Sequence, residues 1–249
     1  MMDKSDNLLH RPGLLLQRII IFLVFFIIGP FAASLIDEPF YNPEIGMSDL
    51  VVSVAYGIII YVGFIAFILY FIRQVNPDLQ FKFINFRNWR KAIWIVVVYL
   101  ASSILGTLWD LLRQLCWPQF YHETSANQSI LNEMTKSNGW ISFVAMFVGA
   151  CFLAPVIEEL IFRGLFMTYF DCFKAFWIGP ILSGIAFGIY HMDLTHMTVQ
   201  DWLDVPTYAI MGLGFAYVYK SSGRISNSIA AHSFNNIVAM ILGAISSFK

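Results

Sequence analysis

The sequence is poor in charged residues. Only 12% of its 249 residues are charged and 58% are hydrophobic, whereas a soluble domain usually has about 25% charged and about 45–50% apolar residues. The formal net charge of −1 leaves no basic excess to neutralise phosphates, which argues against nucleic acid as a partner. The composition therefore predicts an integral membrane protein whose main partner is the lipid bilayer.

Cysteine is also scarce, and familiar zinc motifs are missing. The three cysteines are an odd number and include no Cys-x-x-Cys pair, so neither a disulfide framework nor a cysteine zinc site is indicated. The chain has no His-Glu-x-x-His motif, the helix-borne zinc site of many peptidases. No internal repeat divides it.

Long intervals without charge predict an all-α, polytopic bundle of transmembrane helices. A bilayer core requires about 20 apolar residues per helix. We expect seven spans, or eight if the region around Pro155 forms two helices. The charge-free intervals are 19–36, 50–72, 92–109, 137–157, 175–190, 205–219 and 225–248.

The distribution of lysine and arginine predicts the orientation. Five basic residues lie in 73–91, whereas 37–49 and 191–204 contain none. By the positive-inside rule, the N-terminus is then cytoplasmic. We describe the chain as one membrane domain, 1–249. It comprises a cytoplasmic tail (1–13), three N-terminal spans with a loop (14–138) and a C-terminal core (139–249).

Ionisable residues within the predicted spans are candidates for function, because burying them in lipid is costly. Asp110 and Arg113 are three residues apart and are interpreted as a structural pair. Glu159 and Arg163 are four apart in the favourable order and are also expected to pair. Glu158 points about 100° away around the helix and is left as a lone carboxylate, a candidate general base. The alternative is that Arg163 bridges both glutamates.

Residues of two later spans are candidates for the same site. Glu158 and His191 are equidistant from the turn predicted at 171–175, so they are expected at the same depth in an antiparallel helix pair. His232 and Asn236, four residues apart, share one face of the last span. Their alternative role is to hydrogen-bond neighbouring helices. Pro155 is expected to kink the helix of Glu158 by freeing a backbone carbonyl.

Three motifs occur in order, each in its own predicted span: EExxxR at 158–163, FxxxH at 187–191 and HxxxN at 232–236. Together they resemble the motifs of the CPBP intramembrane protease family, over about residues 139–245. That family includes the type II CAAX prenyl endopeptidases and bacterial proteins linked to bacteriocin processing and immunity.

The resemblance implies an endopeptidase within the membrane and a role for each motif residue. Glu158 would activate water with the help of His191, and His232 and Asn236 would hydrogen-bond the oxyanion. Glu159 and Arg163 would orient the motif helix, and Phe187 would pack beneath His191. The substrate would be a membrane-associated, leader or lipidated peptide, and a bacterial protein of this kind would lie in the cell membrane.

The sequence leaves metal dependence and catalysis itself open. The family is commonly called a metalloprotease family, and Glu158, His191 and His232 are a possible ligand set for zinc, although glutamate acting directly on water fits equally well. A non-catalytic immunity or scaffold protein of the same fold is the main alternative. A transporter using Glu158 and His191 as a proton relay is the third reading, but only one span is interrupted by proline.

Overall fold

A computed structural model describes residues 12–42, 44–79, 89–120, 139–170, 177–192 and 197–247. The predicted cytoplasmic tail as far as residue 11, most of the loop before residue 139 and the predicted turn at 171–175 lie outside these residues.

The described residues form seven main helices and no strand, which confirms the predicted all-α class. A short 3₁₀ helix, Glu38–Tyr41, follows the first of them, and another, Pro118–Phe120, follows the third. The main helices are α1 (Pro12–Ser34), α2 (Met47–Val75), α3 (Trp89–Cys116), α4 (139–170), α5 (Ile178–Tyr190), α6 (Val199–Ser222) and α7 (Ile225–Ser247).

Four of these helices are long and apolar enough to cross a membrane, judged by length and composition over the described residues. They are the ones that contain Pro12–Ser34, Met47–Val75, Ile93–Cys116 and Trp140–Phe170. Helix α5 is apolar but has only 13 residues. Helices α6 and α7 match the last two predicted spans but contain more polar residues. The architecture is a membrane helix bundle; which side the N-terminus faces stays a prediction.

Helix α4 contains two π-helical segments but does not break, so the structure does not support eight spans. It is α-helical at Gly139–Val148, Ala154–Glu159 and Met167–Phe170, with π-helical segments at Gly149–Leu153 and Leu160–Phe166. π-Bulges of this kind are frequent at functional sites. Glu158 and Glu159 therefore lie on a short α-helical segment between the two π-helical segments.

The first π segment explains how Pro155 is tolerated. Ala154 N–H bonds to the carbonyl of Gly149, five residues earlier. In the same pattern the next nitrogen, that of Pro155, would bond to Ala150, but proline has no N–H. The carbonyl of Ala150 instead accepts a hydrogen bond from Asn236 Nδ2 at 2.8 Å, and that of Leu153 accepts one from Tyr61 at 3.0 Å. A side chain of α7 thus replaces the backbone bond that Pro155 cannot make, and a side chain of α2 adds a bond at Leu153.

Helix α4 lies at the centre of the core. Its side chains Ile157, Leu160, Ile161, Phe162 and Leu165 are fully buried, and it contacts α1, α2, α5 and α7. Because every face of this segment is covered, its charged residues must be satisfied by other protein groups.

Helix α3 packs against α6 through polar contacts. Arg113 lies 3.5 Å from Asp110, as the sequence predicts, but its nearer partner is Asp204 of α6, at 2.6 Å. Trp109 Nε1 also donates to the carbonyl of Leu203 at 2.8 Å. The Asp110–Arg113 pair is therefore part of a contact between two helices, and its third member, Asp204, was not predicted.

Helices α5 and α6 approach closely because glycines line their contact. A Cβ atom on Gly184 would lie 2.8 Å from the carbonyl oxygen of Ala209, and one on Gly188 would lie 2.6 Å from that of Val205. Backbone atoms cannot rotate away, so any side chain here would push the helices apart.

Gly184→Ala is therefore expected to lower the free energy of unfolding by about 1–3 kcal/mol, the usual cost of overpacking. Gly63→Ala is the matched control, because a Cβ at Gly63 of α2 would meet nothing within 4 Å. Thermal unfolding in detergent compares the two variants. Equal melting temperatures would show that the α5–α6 contact can relax without cost.

Candidate active site

Glu158 projects from α4 toward His191, at the end of α5, and His232 of α7. Its side chain is 12% exposed, and Oε2 is buried without a hydrogen-bond partner among the described residues. Oε2 lies 3.9 Å from His191 Nε2 and 3.7 Å from His232 Nε2. The structure thus brings together three residues that the sequence placed in separate spans.

The hydrogen-bond partner of each Nδ1 atom shows which nitrogen of the imidazole ring carries hydrogen. His191 Nδ1 lies 2.8 Å from the carbonyl oxygen of Phe187, and His232 Nδ1 lies 3.0 Å from Glu159 Oε1. Both partners are acceptors, so each Nδ1 must donate. In the neutral rings, each Nε2 then directs a lone pair toward Glu158 Oε2. Three acceptors converge on a space that suits a hydrogen-bond donor such as water.

Aromatic rings hold both imidazoles in place. His191 stacks on Tyr208 with ring centroids 4.3 Å apart. The ring of Phe187 also contacts His191, with centroids 4.5 Å apart. His232 stacks on Phe215 at 4.5 Å. The predicted packing of Phe187 against His191 is therefore found. These contacts restrict the rotation of both rings.

Glu159 and Arg163 form the ion pair expected from their spacing. Arg163 Nη1 lies 3.1 Å from Glu159 Oε1, and both side chains are fully buried. Arg163 Nη2 donates to the carbonyl of Gly212 at 2.5 Å, and its guanidinium lies 4.9 Å from the ring centroid of Phe187. Among the described ion pairs, none joins Arg163 to Glu158, so the alternative in which Arg163 bridges both glutamates is not what the structure has.

Arg163→Met is expected to lower the free energy of unfolding by about 3–5 kcal/mol, because it leaves Glu159 buried without its cation. The double variant Glu159→Gln/Arg163→Met removes both charges and is expected to lose less. Thermal unfolding of the purified proteins in detergent tests this order. A double variant less stable than Arg163→Met would contradict it.

Ser228 is a member of the site that the sequence analysis missed. Its Oγ contacts Glu159 Oε2, and it lies four residues before His232, on the same face of α7. That spacing was the available signal, but serine is common in helix contacts of membrane proteins.

Asn236 does not join the cluster around Glu158 through any described hydrogen bond. Its Nδ2 donates to Ala150, eight residues before Glu158 and roughly two helical turns away. Its Oδ1 accepts from Asn235 Nδ2 at 3.2 Å. The amide has one further hydrogen on Nδ2, and this hydrogen is the group that would donate to a substrate.

The fit of a metal ion can be tested on the same atoms. Two imidazole nitrogens and a carboxylate have the chemistry of zinc ligands. However, the described residues contain no group of three or more His, Cys, Asp or Glu side chains arranged to hold a metal ion. We assign no metal to the site.

The site thus places a buried carboxylate between two imidazoles, within a membrane protein built as a bundle of apolar helices. Residues 140–238 match the family described as Type II CAAX prenyl endopeptidase Rce1-like. The match lies over the same part of the chain as the resemblance to the CPBP protease family seen in the motifs, and it supports that resemblance.

Curated relatives are bacterial. The chain is 32% identical over 97 residues to the protein named Putative membrane peptidase YdiL of Bacillus subtilis, an alignment that covers 39% of this chain and 36% of the relative. It is 23% identical over 159 residues to UPF0177 protein YaiF of Lactococcus lactis, covering 63% of this chain and 68% of that one. It is 25% identical over 151 residues to UPF0177 protein YbdI of the same species, covering 60% and 75%. The chain thus spans little more than a third of the first relative. No solved structure matches it.

Proposed function

We propose that this protein is an intramembrane endopeptidase in which Glu158 activates the water that hydrolyses a peptide bond. The observation that carries the proposal is the convergence of Glu158 Oε2 with the Nε2 atoms of His191 and His232 at 3.7–3.9 Å. The family match and the name of the Bacillus subtilis relative support the reaction class.

In the first step, the bound water donates one hydrogen bond to Glu158 and the other to His191 Nε2. Glu158 takes a proton as the water oxygen bonds to the carbonyl carbon of the scissile peptide, and the π electrons of that carbonyl move to its oxygen. A positioned general base of this kind contributes about 10²–10⁴-fold to the rate.

In the second step, His232 and Asn236 donate hydrogen bonds to the oxyanion. His232 can do so only with hydrogen on Nε2, because Nδ1 already donates to Glu159, and Glu158, 3.7 Å away, passes to it the proton taken from the water. The carbonyl re-forms, the C–N bond breaks, and the same proton returns through Glu158 to the leaving nitrogen. The products are a carboxylic acid and an amine.

The proposed substrate is a leader or lipidated peptide whose scissile bond lies at the membrane. A buried site reached from within the bundle favours peptides that already partition into the bilayer over soluble proteins. The bacterial relatives make the cell membrane the proposed location.

The test is peptide cleavage by the purified full chain in proteoliposomes. The probes are quenched fluorescent peptides with and without a C-terminal lipid, and each reaction is run with and without a chelator. We expect cleavage by the wild-type protein that Glu158→Gln abolishes. Equal cleavage by both proteins would overturn the proposal. If instead cells producing Glu158→Gln keep the wild-type phenotype, the non-catalytic immunity or scaffold role is favoured.

A further inference from the structure

The carboxylate of Glu159 is fully buried and both of its oxygens are hydrogen-bonded. Oε1 accepts from Arg163 Nη1 at 3.1 Å and from His232 Nδ1 at 3.0 Å. Oε2 is in contact with the hydroxyl of Ser228, whose side chain is also fully buried. Among the residues that the structure describes, two donors hold Oε1 and one, Ser228, holds Oε2, so Ser228 fixes the rotation of the carboxylate about its last bond.

The hydroxyl hydrogen of Ser228 has two acceptors within reach. Besides Glu159, the carbonyl oxygen of Phe215 lies 3.0 Å from Oγ. A hydroxyl has one hydrogen, and a hydrogen bond to an ionised carboxylate is roughly twice as strong as one to a neutral carbonyl. The hydrogen therefore points to Glu159, which completes an ordered chain of hydrogen bonds from Ser228 through Glu159 to His232.

We propose that Ser228 is a positioning residue for the candidate active site. Its hydroxyl holds Glu159, and Glu159 holds His232 in the form with hydrogen on Nδ1, so that Nε2 faces Glu158 and the water. Without the hydroxyl, Oε2 is a buried acceptor without a partner, and the carboxylate turns toward the remaining donors. His232 then loses its fixed hydrogen position, although no catalytic group has been removed. The inference rests on the proposed function for its kinetic consequences only.

The sharpest test compares Ser228→Thr with Ser228→Val, because the two side chains have the same shape and differ in the hydroxyl. We expect Ser228→Thr to keep the wild-type kcat of peptide cleavage, apart from the steric cost of the added methyl group. Ser228→Val has the same steric cost. The valine variant is expected to lose about 10–100-fold in kcat, the usual effect of removing a supporting hydrogen bond beside a site residue. KM is expected to change little, because Ser228 does not face the substrate.

Ser183→Ala is the matched control. Ser183 is equally buried and donates to the carbonyl of Phe162 on α4 at 3.2 Å, but its only described partner is this backbone oxygen. We expect it to lower the melting temperature without changing kcat or the pH profile of kcat. Ser228→Val is expected to lower kcat, because the tautomer of His232 is no longer fixed.

A readout without turnover separates this inference from the proposed function. The ¹⁵N spectrum of histidine-labelled protein reports which ring nitrogen carries hydrogen, and His232 is identified as the signal missing in His232→Asn. We expect the Nδ1–H form in the wild type and in Ser228→Thr, and a mixture in Ser228→Val. Identical His232 signals and identical kcat in the two variants would overturn the role of Ser228. Failure of the wild type to cleave any probe would overturn the proposed function and leave the tautomer result to decide on Ser228.

Discussion

Glu158→Gln is expected to lower the rate of peptide hydrolysis by about 10²–10⁴-fold, the contribution of a general base. Glutamine has the size and shape of glutamate but cannot take a proton from water. The measurement is the initial rate of cleavage in proteoliposomes at equal protein concentration. Asp110→Asn is the control, since its half-exposed carboxylate lies on α3, away from the two histidines.

The same substitution is expected to leave the melting temperature unchanged or to raise it. Glu158 Oε2 lacks a hydrogen-bond donor among the described residues and faces the lone pairs of two imidazoles. The side-chain amide of glutamine can donate hydrogen bonds to those nitrogen lone pairs. Three acceptors then no longer face one another. A lower rate with a higher melting temperature is the signature of a site that sacrifices stability for chemistry. A large fall in melting temperature would instead show that Glu158 is needed for the fold.

Asn236→Ala is expected to lower both the cleavage rate and the free energy of unfolding, because the two hydrogens on Asn236 Nδ2 have different roles. Loss of an oxyanion donor costs about 10²–10³-fold in turnover. Loss of the bond to Ala150 leaves a partly buried carbonyl unpaired, which costs up to about 1–3 kcal/mol in the free energy of unfolding. Cleavage rates and thermal unfolding measure the two effects on the same preparations.

The double variant Pro155→Ala/Asn236→Ala separates the two effects. Alanine at 155 restores the backbone N–H that the π-helical pattern directs toward Ala150. We expect the melting temperature to recover and the cleavage rate to stay low, with Pro155→Ala alone close to wild type in both. Recovery of the rate as well would mean that Asn236 only positions α4. An unchanged melting temperature in Asn236→Ala would show that its bond to Ala150 contributes nothing to stability.

The sequence predicted those parts of the site that depend on local spacing. The Glu159–Arg163 pair follows from four-residue spacing, and the proximity of Glu158 and His191 follows from equal distances to a turn. Both arguments need only regular helical geometry. The all-α class follows from the charge-free intervals in the same way.

Contacts that depend on how helices rotate against one another were not predictable. Ser228 meets Glu159 across 69 residues and Asp204 meets Arg113 across 91. The bond from Asn236 to Ala150 further requires the π-helical pattern of Gly149–Leu153, which shifts the carbonyl left open by Pro155 by one residue. No periodicity in the sequence marks that shift, since the same residues read equally well as an ordinary α-helix.

The position of Ser228 and His232 on the last helix has a consequence for synthesis in the cell. Helix α4 ends at residue 170 and α7 begins at residue 225, so the ribosome delivers the glutamates to the membrane before two of the groups that hydrogen-bond Glu159 exist. Until then Arg163 alone compensates that acid, and Glu158 faces no second imidazole. On the proposed function, the nascent chain is therefore chemically inert while it is being inserted, and the final helix completes the proposed hydrolytic centre.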